Sequence, residues 1–164
     1  MSKLFIKSPP PPTEYTEEQT QQNGYDGLLS TYHHRLGQKL TVPNRMVTKL
    51  AFILKRSDSP TGNLYFQIYR VSDNGVILSK IWGDASLLPT TPTWIEVEFD
   101  TPAVIDEAVR MCAYFTGGGA GEVIYFYYQN TDVKADEHYT KAFDWAWTDE
   151  TGYDAAYRYK YYEV

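Results

Sequence analysis

Cysteine is almost missing from this chain: Cys112 stands alone among 164 residues. One cysteine cannot form an intrachain disulfide, and it cannot assemble a cysteine-rich zinc site. Flanked by Met111 and Ala113, it reads as a small buried hydrophobe. Histidine is nearly as scarce. His33 and His34 are adjacent on a predicted strand and so point to opposite faces, while His138 lies far along in a polar connector, so no zinc site is expected. Clustered basic residues are lacking too. Lys and Arg number 15 against 21 Asp and Glu, giving a net charge of −6 and a pI near 5.0. The longest basic feature is Lys55-Arg56, which excludes a counterion-release mechanism for nucleic acid or an anionic membrane.

Long apolar runs are absent as well. The opening "MSKLFIKSPPPP" offers only Leu4 to Ile6, too short for a signal peptide or a membrane span. The expectation is synthesis in a cytoplasm with no membrane insertion. An extracellular or virion destination would then need another exit, such as release inside an assembled virus particle. No 3.6-residue period holds over three turns in residues 28–164, a single turn near 133–141 being the exception. Signatures of catalysis are missing. There is no Gly-x-Ser-x-Gly elbow, and "TGGGAG" (116–121) lacks the Gly-Lys-Ser/Thr ending of a phosphate loop. A non-enzyme is expected, with no catalytic residues, no metal ligands and no cofactor.

What the chain has in quantity is aromatic residues, 16% of the total and dominated by fifteen tyrosines. Tyrosine suits strands and half-wet surfaces because its ring is apolar and its hydroxyl tolerates water. After Gly27 the residues alternate at period two between turn signals. In "RMVTKLAFILKR" (45–56) Leu50, Phe52 and Leu54 share a face. In "LYFQIYRV" Leu64, Phe66 and Ile68 oppose Tyr65, Gln67 and Tyr69. In "TWIEVEFD" Ile95, Val97 and Phe99 face in, and Glu96 and Glu98 face out. "LLSTYHHRLGQKLTV" (28–42) reads as two short extended segments broken at Gly37. "SDSPTGN" and "SDNG" read as turns, and "VILSKIW", "AVRMCAYF" and "AAYRYKYYEV" as further strands. Short strands at regular spacing predict an all-β, antiparallel, two-sheet sandwich.

The run "EVIYFYYQN" (122–130) places Ile124, Phe126 and Tyr128 on one face, read as core. Tyr125 and Tyr127 then fall on an outer face that Tyr65 and Tyr69 can share from another strand. Trp145 and Trp147 share a face of one strand. These six residues are the candidate ligand or interface set. Exposed tyrosines can stack on a sugar or be covered by a neighbouring subunit, and the second reading is preferred. Asp144, Asp149, Glu150 and Asp154 cluster near the end. They are read as loop acids, with a structural calcium ion as the alternative.

Residues 8–24, "SPPPPTEYTEEQTQQNG", cannot enter a sheet interior because four prolines lack backbone donors. They read as an extended arm over 1–26 preceding a domain at 27–164, with "KLFIK" as an apolar hook for a neighbouring subunit. From residue 30 to 164 the order of motifs resembles the choice-of-anchor R domains, jelly-roll modules of microbial surface proteins and of phage or archaeal-virus structural proteins. Gly37-Gln38, Leu50 to Arg56, Ser59 to Gly62, Leu88-Pro89, Trp94 and Trp147 carry the likeness. The resemblance implies a two-sheet jelly roll and brings no catalytic set. The expected function is a structural, adhesive subunit of a virus particle, appendage or surface assembly. Its partners are copies of itself or other assembly subunits; the alternative is a monomeric carbohydrate-binding module.

Overall fold

The computed structural model describes residues 7–164, so the "KLFIK" hook lies mostly outside the described residues. Among them are eleven strands and no α-helix: β1 (Tyr15–Gln19), β2 (Gly24–Leu28), β3 (Arg35–Ser57), β4 (Asn63–Arg70), β5 (Val76–Asp84), β6 (Thr93–Tyr114), β7 (Val123–Gln129), β8 (His138–Phe143), β9 (Ala146–Glu150), β10 (Asp154–Ala155) and β11 (Tyr157–Glu163). A short 3-10 turn at Ala85–Leu87 is capped by the Asp84 carboxylate, which accepts from the Ser86 N–H. The all-β, antiparallel expectation holds. The strands join, however, in one continuous open sheet in place of two separate ones, with a main path β1-β11-β3-β6-β4-β5.

Two long strands explain the continuity. β3 and β6 pair from Arg35 opposite Tyr114 to Leu54 opposite Thr93, with register shifts after Val42 and Val47. The expected break at Gly37 does not occur. A Cβ at Gly37 would sit 1.8 Å from the Met111 carbonyl oxygen, so glycine here permits close strand approach and does not end the strand. "TWIEVEFD" and "AVRMCAYF", read as separate strands, are the two ends of β6.

The free side of β3 changes partner along its length. β8 takes Arg35 to Lys39, β11 takes Arg45 to Phe52, and β7 takes Leu54 to Ser57. One half of the sheet is therefore built from β9, β8, β4 and β5 around the start of β3. The other half is built from β1, β11, β7 and β2 around its end.

Both halves share one core. Leu50, Phe52 and Leu54 are fully buried, as their period-two spacing predicts. The Phe52 ring lies 5.3 Å from Phe66 on β4 and 4.9 Å from Phe126 on β7, linking the halves across the interior. Such aromatic pairs add about 1 kcal/mol each beyond area burial. Gln38 faces the same core fully buried. Its amide donates to Asp154 at 2.6 Å and accepts from the Ala155 N–H at 2.8 Å. Asp154, also fully buried, accepts from the backbone of Val133 and Lys134 at 2.8 and 2.9 Å. This polar knot fixes the 131–137 connection, where the single expected helical turn is a turn at Lys134–Glu137 followed directly by β8.

The boundary expected between residues 26 and 27 falls inside β2. β1 pairs with β11 as an edge strand, and β2 pairs with β7. The proline run stays out of the sheet, as its missing donors require, and Pro9 to Pro12 are exposed.

Candidate functional site

The candidate aromatics separate onto two surfaces. The first covers the half-sheet of β4, β6, β3 and β8. Alternation puts Tyr65 and Tyr69 on its outer side, and strand register brings Tyr69 beside Arg110 and Arg35 beside Tyr114. From the β8–β9 hairpin Trp145 and Trp147 fold back over this row, with ring centroids 5.6 and 5.9 Å from Tyr69. Tyr69 is consequently only 1% exposed, although its position in the alternation faces outward. Its hydroxyl accepts from Arg35 Nε at 3.0 Å and donates to Gln67, and burial pushes its ionisation well above the ordinary tyrosine range.

Two buried arginines lie within this surface. The Arg35 guanidinium sits 4.0 Å from the Trp145 ring and 4.3 Å from Tyr114, and it donates to the Asp144 carbonyl at 2.6 Å. The Arg110 guanidinium lies 4.6 Å from Trp147 and bonds Asp149 at 3.2 Å. Asp149 also accepts from Thr140 at 2.7 Å and from Lys39 at 2.9 Å. Burial opposes ionisation of Asp149, but the Lys39, Thr140 and Arg110 contacts outweigh it and hold the carboxyl below its ordinary value. Tyr65, half-buried, lies tilted against Tyr114 with ring centroids 5.8 Å apart. Four of the six candidates thus share one arginine–aromatic face, in which Tyr69 is buried while Trp145 is 49% exposed.

The other two candidates belong to the opposite half. Tyr125 is half-buried, and Tyr127 is 7% exposed in a small cluster with Ile53, Ala156 and Trp94. The residue presented to solvent there is Tyr25 on β2. It is 56% exposed, with its ring 4.7 Å from Tyr125 and 5.8 Å from Tyr127. The Lys55 ammonium lies 5.3 Å from the Tyr125 ring. The shared face expected for Tyr65, Tyr69, Tyr125 and Tyr127 does not form, since β4 and β7 lie in different halves.

The acidic candidates are dispersed among separate contacts. Asp144 pairs with His34 at 3.1 Å, Glu150 with Lys141 at 3.0 Å, and Asp154 caps backbone. Among the described residues no three His, Cys, Asp or Glu side chains are grouped to hold a metal. His33 and His34 lie in the β2–β3 connection and not on a strand. Cys112 is fully buried, and burial pushes its thiol well up.

Sequence reasoning missed Arg35, Arg110 and Tyr25. A lone arginine inside an apolar strand, as in "VRMC", is the signal that could have found Arg110, because an unaccompanied buried charge requires a partner. Tyr25 lay within the segment read as arm.

No family model and no curated protein matches the chain. A similar solved structure is that of infectious bursal disease virus, Gx strain: 10% identical, with a TM-score of 0.36, covering 93% of this chain and 33% of the viral one. The chain spans about a third of that viral chain, and the likeness is too distant to carry over a role.

Proposed function

We propose that this chain is a non-enzymatic structural subunit that associates with copies of itself. In this reading its folded-over sheet is a jelly roll, and its destination is a virus particle, appendage or surface assembly. The observation that carries the reading is the root of the N-terminal segment. Glu14 accepts from Thr48 at 2.8 Å and pairs with Lys49 at 3.3 Å, and β1 follows as an edge strand. An extended, donor-poor proline run therefore leaves the sheet from a fixed point and is exposed along its length. A tethered, stiff segment of this kind can reach a neighbour at little entropic cost.

Two further features support it. Tyr15 on β1, next to the root of the arm, and Tyr25 on β2 both stand exposed, and tyrosine is enriched at subunit interfaces. Arg110 and Lys141 are held in pairs with Asp149 and Glu150, and the thiol is buried, which supports a structural role for these groups.

Sedimentation velocity at high protein concentration tests this. The full chain should self-associate, and a variant lacking residues 1–13, which keeps Glu14 and β1, should shift towards monomer. A monomeric full chain whose behaviour is unchanged by that deletion would refute the proposal.

A further inference from the structure

A concavity of about 430 Å³ opens between the β2–β3 connection and the β8–β9 hairpin, lined by Thr31, Tyr32, His33, Lys141, Phe143, Ala146 and Thr148. We infer that it is a binding site for a neutral saccharide. Its volume falls within the range of small-molecule sites, roughly 300–1,000 Å³. Tyr32 and Phe143 are 51% and 47% exposed, so two ring faces are available without rearrangement.

Each ring packs against one of the two adjacent histidines. The Tyr32 ring lies 3.9 Å from His33, and the Phe143 ring 4.6 Å from His34. His34 is pinned through Asp144 and the Ser30 carbonyl, at 3.1 and 3.0 Å. His33 has Asp26 at 3.7 Å, and its buried Nδ1 has no hydrogen-bond partner among the described residues. The histidine pair thus positions two aromatic platforms.

Saccharide is the chemistry these groups share. A sugar ring has an apolar C–H face that packs on an aromatic ring and hydroxyls that need both donors and acceptors. Thr31 and Thr148 supply both, and Lys141 supplies a donor. Ala146, opposite Phe143 in the β8–β9 register, leaves the space open. Neutrality follows from charge: Lys141 is held by Glu150 at 3.0 Å, and each histidine faces its own carboxylate, so an anionic ligand would meet no free cation at the wall. A hydrophobic peptide anchor would favour a deeper apolar pocket without the two threonine hydroxyls.

The inference does not depend on self-association, and a chain lacking residues 1–13 should bind equally. Saturation-transfer NMR and calorimetry on the full chain, with methyl α-mannoside, methyl β-galactoside and N-acetylglucosamine at millimolar concentration, test it. At least one should show transfer to its ring protons. Tyr32→Ala and Phe143→Ala should each weaken that affinity about tenfold. Ala146→Trp, at an exposed position, should abolish it while leaving thermal unfolding unchanged. No transfer from any of the three sugars would overturn the site, as would binding that survives Ala146→Trp. Tighter binding of sialyllactose than of lactose would overturn its neutrality.

Discussion

The two outer faces of this sheet begin from the same sequence signal and end differently. On both, aromatic residues alternate with core residues along a strand. On the β4–β6–β3–β8 half, a tryptophan hairpin and two arginines cover Tyr69, which is buried. On the β2–β7 half, the Tyr25 ring packs on Tyr125 and Tyr127, and Tyr25 is open to solvent. Alternation dictates which way a side chain points. What lies over it is decided by strands distant in sequence.

If the first face is structural and the second is for contact, substitutions should separate them. The largest effect is expected at Asp149. Asp149→Asn leaves the Arg110 guanidinium buried without its counter-charge, and should cost about 3 kcal/mol in urea unfolding. A loss under about 1 kcal/mol would show that the arginine–aromatic face does not rely on this pair. Trp147→Ala uncovers Tyr69 and removes a cation–π partner of Arg110, and should cost about 2 kcal/mol without altering the oligomeric state.

The pH dependence sharpens the same contrast. The Asp149 carboxyl is held below its ordinary value of 3.8, so its contribution to stability is complete above that pH and is lost as pH falls through the depressed value. Glu137, raised by burial, has the opposite sign: its cost at neutral pH is relieved on acidification. In acid unfolding followed by tyrosine and tryptophan fluorescence, the part contributed by Asp149 should therefore fall below pH 3.8, and Asp149→Asn should flatten that part of the curve. The smallest effect on stability is expected on the open face, where Tyr25→Ser should change it by less than about 1 kcal/mol.

The sequence was most legible where one strand decides the outcome. Leu50, Phe52, Leu54, Ile95, Val97, Phe99, Ile124 and Phe126 are all buried, because period two alone puts them inward. It was least legible where a long-range partner decides. Gly37 resembles a breaker, yet it permits the close passage of β6, 75 residues away at Cys112. β1 and β2 were hidden because their polar residues are those of edge strands, which carry no alternating apolar face. Tyr32 and Phe143 have no common signal in the chain; only the closing of β8 onto β3 brings them to one concavity.

The central claim, proposed above, is that contact between copies uses the open tyrosine face together with the N-terminal arm. Sedimentation equilibrium of Tyr25→Ser/Tyr125→Ser against Trp147→Ala tests it most directly. The account predicts weakened self-association in the tyrosine double variant at unchanged stability, and undisturbed association in Trp147→Ala at reduced stability. The reverse pattern, or a tyrosine variant that assembles like the parent chain, would contradict it.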